Sequence, residues 1–218
     1  GEGEGEGEGE GEGEGEGEGE GEGEGQPSYP CPEGSVLNYA PAVNQDDTGN
    51  PSEEDNGTAV FQVLPGLGAP ISHIVWWGSH ISSGSAACYQ SPVRITFSEY
   101  PSDHFDGSAP GAVLFSELRI AGESPIGVLV DGRVPLSRFE VYFSPPLQLA
   151  GPTALSIVGP AGDTCYSGWL DSTDPGADAA SLSQGIATGL GNNLSLCVVT
   201  SPTSEGEGEG EGEGEGEG

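Results

Sequence analysis

The run Ile71-Ser72-His73-Ile74-Val75-Trp76-Trp77-Gly78 limits the available folds more than any other stretch of the chain, being its most apolar segment and the site of two of its three tryptophans. Adjacent residues of a strand point to opposite faces, so Ile71, His73, Val75 and Trp77 fall on one side and Ile74 and Trp76 on the other. Neither side is polar enough to face water. A strand that needs cover on both faces belongs in the middle of a sandwich. The two indoles cannot enter one core together; the second lies under a loop or faces outward.

Similar short patterns recur along the chain. Residues 58–64, bounded by Asn56-Gly57 and Pro65-Gly66, predict one strand, and residues 93–100 alternate most clearly, with Val93, Ile95 and Phe97 inward and Arg94, Thr96 and Ser98 outward. Further strands are expected near 112–118, 126–130, 138–143, 154–158, 165–170 and 194–199. Asp131-Gly132 signals a tight turn, with Pro135 delaying the strand after it. Residues 26–56 read as a loop plus one edge strand around Val36, Leu37 and Tyr39, and residues 171–191 as a loop rich in serine and alanine. Short strands broken by Gly and Pro, with no sustained helical period, predict an all-β antiparallel β-sandwich of jelly-roll topology.

Residues 1–25 and 205–218 are strict Gly-Glu repeats. They have no apolar group to bury and a like charge at every second position, so they are expected to be disordered linkers on either side of one domain spanning 26–204. Of the 36 acidic residues, 12 lie in the first repeat and 7 in the second, leaving 17 against four arginines and a charge of −13 for the domain. With no lysine and so little positive charge, neither nucleic acid nor a membrane surface is a fitting partner.

Cys31, Cys88, Cys165 and Cys197 show no Cys-x-x-Cys spacing and no histidine at metal-ligand distance. Two disulfides are the simplest reading, and they place the chain in an oxidising, extracellular compartment. Of the three pairings, Cys165–Cys197 is expected because 165–170 and 194–199 are the last two strands and sheet neighbours can approach within bridging distance; Cys31–Cys88 then follows.

Candidates for chemistry are few. There is no Gly-x-Ser-x-Gly turn, and His73 falls on an apolar strand face while His80 and His104 are expected in loops, the first of them in a small-residue loop over 79–87, where no partner can be named. Glu99, Glu117 and Glu140 are strand-associated carboxylates that a glycosidase reading would need to bring together in pairs. No catalytic residue is assigned. A sugar-stacking platform built from Trp77, Trp169, Tyr166 and Tyr89 is one binding possibility, with packing beneath loops as its alternative. Asp163, Asp171, Asp174 and Asp178 surround Trp169 and offer oxygens suited to calcium, as do Asp46, Asp47, Glu53, Glu54 and Asp55, although neither group has the spacing of a defined calcium loop. No other cofactor is expected.

The succession Ile-Val-Trp-Trp-Gly, Val-Arg-Ile-Thr-Phe-Ser-Glu-Tyr, Ala-Pro-Gly-Ala-Val-Leu, Leu-Ser-Ile-Val, Thr-Cys-Tyr-Ser-Gly-Trp and Asn-Leu-Ser-Leu-Cys-Val-Val resembles an uncharacterised family of bacterial extracellular β-sandwich domains. The resemblance implies a module of a larger secreted or surface protein, and it brings no catalytic residue with it. The expected function is a non-enzymatic spacer, adhesion or recognition domain, monomeric within a longer chain. Its partner would be a glycan or a component of the cell surface or matrix. A carbohydrate-binding module is the alternative and a glycosidase the third reading.

Overall fold

The computed structural model of the chain describes residues 29–43, 49–54, 57–82, 91–130, 134–159 and 165–201. Thirteen strands and no helix occur among them. They form two sheets whose strand pairings are all antiparallel, packed face to face as a β-sandwich.

The centre of the seven-stranded sheet is β4 (Ile71–Ser82), which extends past the apolar run through Ser79 to Ser82. One flank of β4 pairs along its length with β8 (Val134–Leu147), which in turn pairs with β7 (Gly122–Val130). The other flank is shared by two strands lying end to end. Here β13 (Leu196–Thr200) covers Ile71 to Trp76, and β10 (Cys165–Trp169) covers Gly78 to Ser82. Beyond them lie β1 (Ser35–Tyr39), beside β13, and β2 (Asn50–Pro51), beside β10. Pro135 does not delay β8; it lies inside the strand opposite Leu129, near the turn, where the loss of a ladder donor is tolerated.

The six-stranded sheet runs β12 (Ile186–Gly189), β11 (Ala179–Ser183), β3 (Thr58–Leu64), β9 (Thr153–Val158), β5 (Pro92–Glu99), β6 (Val113–Ile120). Residues 171–191, expected to be a loop, contribute the β11–β12 hairpin, which turns at Gln184-Gly185 with both residues at positive φ. Buried side-chain hydrogen bonds fix this segment: Gln62 Nε2 donates to Asn193 Oδ1 at 3.2 Å, and Leu194 N donates to Gln62 Oε1 at 2.8 Å.

Between the sheets, Trp76, Phe139, Val141, Leu196 and Trp169 meet Val93, Ile95, Phe97, Leu155 and Ile157. Trp77 points the opposite way and is fully buried, in a separate cluster with Val75, Leu136, Leu170 and Cys197. Its cover comes from Tyr29, Cys31 and Val43 of the leading segment, from Ile126 and Val128 of β7 and from Val134 of β8. Ile71 joins the inner core and not the face of Trp77, because the register shifts between Ile71 and His73 against β8.

The expected disulfides are corrected by this topology. Cys31 bonds Cys197, with Cα atoms 5.6 Å apart, so neither Cys31–Cys88 nor Cys165–Cys197 forms. Cys165 lies opposite Ser82 and Cys197 opposite Val75 on the same flank of β4, seven positions apart or about 23 Å, far beyond a bridge. Cys165 is itself disulfide-bonded, and Cys88 lies outside the described residues.

Candidate functional site

The outer face of the six-stranded sheet carries an open concavity. Cross-strand register aligns Phe61, Ser156, Thr96 and Ser116 in one row and Ala59, Val158, Arg94 and Leu118 in the next. Small side chains and hydroxyls at Ala59, Ala154, Thr96, Ser98 and Ser156 lower the middle of the sheet, while Leu182 of β11 and Pro110 of the loop before β6 stand as walls. The result is a mostly apolar groove of about 210 Å³. It shares Ala59, Val158 and Leu182 with a wider mouth of about 360 Å³, bordered by Glu53, Glu54 and Gly185.

The groove has few polar groups left to offer. Thr96 Oγ1 and Ser116 Oγ bond each other at 3.0 Å, Ser156 Oγ donates to Val60 O at 2.9 Å, and Arg94 pairs with Glu54. Glu53 is buried and accepts a hydrogen bond from Ser167 N. On the side of Pro110 the wall is braced by Tyr100, whose hydroxyl bonds Asp106 Oδ1 and Ser108 O at 3.1 Å each. Burial raises the pKa of that phenol, and hydrogen bonds from Ser108 lower that of Asp106.

The sugar-stacking platform expected from sequence is not formed. Trp77 and Trp169 lie on opposite faces of one sheet and both are buried, because β4 is covered on both sides and Trp169 enters the inner core, where its Nε1 donates to Ser195 O at 2.8 Å. The Tyr166 backbone pairs with Ile81, but its side chain, like Tyr89, falls outside what is described. Among the described residues, Tyr142 is a large exposed aromatic, 59% exposed on the outer face of the seven-stranded sheet and stacked on His73 at a centroid distance of 4.7 Å. Arg138 and Glu140 form an ion pair on the same face. Burial lowers the His73 pKa, Glu140 opposes the shift and Arg138 reinforces it.

The expected calcium carboxylates point to different partners. Asp171 Oδ1 accepts from Asn50 Nδ2 at 2.6 Å; Asp174 Oδ2 accepts from Ala40 N at 2.8 Å and from Ser172 Oγ. Asp178 accepts from Phe105 N and faces His104 Nδ1 at 3.3 Å. Asp163, Asp46, Asp47 and Asp55 lie outside the described residues, and among those described no three metal-ligating side chains converge.

Glu99, Glu117 and Glu140 share no cleft. Glu140 belongs to the outer face of the other sheet, and Glu99 lies four β5 positions, about 13 Å, from Ile95, the partner of Glu117. Sequence reading missed a buried polar group at one end of the core: His80 Nδ1 lies 3.9 Å from Glu123 Oε2, and Ser137 Oγ donates to Glu123 Oε1 at 2.9 Å. The bond from Ser137 to Glu123 and the approach of His80 brace β7 against β8 and β4. The members of this group come from three strands with no motif between them, which leaves no linear signal.

Compared with family models, curated proteins and solved structures, the chain matches none.

Proposed function

We propose that the chain is a non-enzymatic extracellular module, a spacer, adhesion or recognition domain of a larger secreted or surface protein, as its resemblance to bacterial β-sandwich domains implies. The observation that carries this reading is the position of the Cys31–Cys197 bond, which joins the segment ahead of the first strand to the last strand over 166 positions. Tension applied through the two Gly-Glu segments would pass from Cys31 directly into Cys197. Nearly the whole sandwich lies off that covalent path, so a pulled chain keeps its binding surfaces folded. Disulfide bonding also suits an oxidising compartment.

Extending single molecules by their termini tests the mechanical claim. Oxidised protein should lengthen without a major unfolding step, whereas reduced protein should release roughly 550–600 Å for the freed 166-residue loop. A step of that size in oxidised protein would refute the load path. Turnover of a hydrolase substrate that is lost with a single carboxylate substitution would refute the non-enzymatic reading.

Carbohydrate binding keeps a place as the second reading because of Tyr142. Its exposed ring is held by His73 beside an Arg138–Glu140 pair, giving an apolar plane with donors and acceptors at its edge. A glycan array read with native protein and with Tyr142→Ala tests it. Binding that survives the substitution, or no binding at all, removes this site.

A further inference from the structure

The six-stranded sheet ends at β6, which among the described residues pairs with β5 alone. This free edge carries an apolar outer row, with Leu114 43%, Leu118 50% and Ile120 69% exposed. The opposite face of the same edge carries Glu117 and Arg119, which pair with each other. Arg119 Nε is buried without a hydrogen-bond partner, while its terminal nitrogen pairs with Glu117.

The backbone alternation of β6 follows from its hydrogen bonds. Glu99 N donates to Ala112 O at 2.8 Å and Glu99 O accepts from Gly111 N at 2.9 Å, so Glu99 faces β6. Counting back by two, Phe97, Ile95 and Val93 also face β6, opposite Phe115, Glu117 and Arg119. Ser116, Leu118 and Ile120 therefore direct their N–H and C=O groups away from the sheet. Such an edge is a template for another strand.

We infer that the occupant is a second copy of this chain, added antiparallel through β6 about a two-fold axis at Leu118. In this register Leu118 meets its own copy as a hydrogen-bonded pair, Ser116 meets Ile120, and Glu117 meets Arg119 of the other copy twice. The backbone parity required at the axis is the one β6 presents. Centring on Glu117 instead would set two glutamates face to face, and centring on Ser116 would put Glu117 opposite Phe115 and leave the charges without cross-strand partners. The charges at the edge thus reject most incoming strands and accept this one. The inferred dimer joins two six-stranded sheets, and the apolar row of each copy continues across the seam from its groove.

Cysteine cross-linking of the full chain in 0.15 M salt distinguishes these registers. Leu118→Cys should give a disulfide-linked dimer under mild oxidation, because the hydrogen-bonded pair places the two Cα atoms about 5.5 Å apart. Ser116→Cys should form no disulfide cross-link, its copies being about four residues apart along the strand, or roughly 13 Å. Sedimentation equilibrium supplies the second readout. Arg119→Glu and Glu117→Arg should each weaken self-association about tenfold or more, and the double exchange should restore it. Absence of a Leu118→Cys dimer, equal cross-linking at Ser116→Cys, or single charge reversals without effect would each overturn the inference.

Discussion

The outer faces of the two sheets meet water differently. On the seven-stranded sheet Val75, Trp77 and Leu136 are sealed by the leading segment and by side chains of β7 and β8, and the Cys31–Cys197 bond fastens that cover. On the six-stranded sheet Phe61, Val63 and Ala154 pack with Tyr100, Phe105 and Leu182, and among the described residues the groove and β6 are left open. The difference lies in side-chain size. A face that carries an indole needs a second layer, whereas a floor of alanine, serine and threonine can be left bare at little cost. Cover marks where the chain secures itself, and its absence marks where a partner can reach the sheet.

Removing the fastening is the most direct way to break this contrast. Cys197→Ala should destabilise the domain by about 5 kcal/mol, since the bond closes a 166-residue loop, and the same loss is expected for Cys31→Ala. Chemical denaturation, read by tryptophan fluorescence, measures it. A loss below about 1 kcal/mol would mean that packing alone holds the leading segment in place.

Truncation on the two faces sharpens the comparison at a smaller scale. Trp77→Ala should cost about 3–5 kcal/mol and Leu182→Ala less, about 1–2, because the leucine is only partly buried. The buried Trp77 Nε1 has no hydrogen-bond partner, whereas Trp169 Nε1 donates to Ser195 O. Trp77→Phe should therefore be milder than Trp169→Phe by about 1–3 kcal/mol, since only the second change strands a buried carbonyl. Equal losses for the two phenylalanine variants would show that cavity formation outweighs the polar difference.

Where a physical rule acts locally, the fold was legible in the sequence. Alternation located β3, β4, β5 and β8, and the placement of the two adjacent indoles of β4 on opposite faces follows from it. What could not be read was the pairing order. Nothing local indicates that β10 and β13 share one flank of β4, so a disulfide assigned from succession along the chain failed where neighbourhood in the sheet decides it. The β11–β12 hairpin was missed because Ala179 and Ala180 give a weak apolar signal and are held by Gln62 and Asn193, residues distant in sequence. The groove was equally hidden, because small residues make a site only when register sets them side by side. Trp77 and Trp169 were the visible binding candidates, and they are buried for the reason that made them visible.

The smallest effect tests the one part of the sealed face that remains open. Tyr142 and His73 lie beyond the cover over Trp77, where burial and Arg138 lower the His73 pKa against the opposing pull of Glu140. A depressed folded value means that, below the ordinary histidine range, the unfolded chain takes up the proton more readily than the folded one. The associated stability is present above about pH 6.5 and is lost as pH falls through the folded value. Wild type should therefore lose more thermal stability than His73→Gln between pH 7.5 and pH 5. Ring-proton titration by NMR should show the His73 midpoint rising in Arg138→Gln and falling in Glu140→Gln. If the wild-type ring titrates at the ordinary value and neither substitution moves it, His73 is as free as a surface residue, and the stacked pair with Tyr142 does not hold the ring in solution.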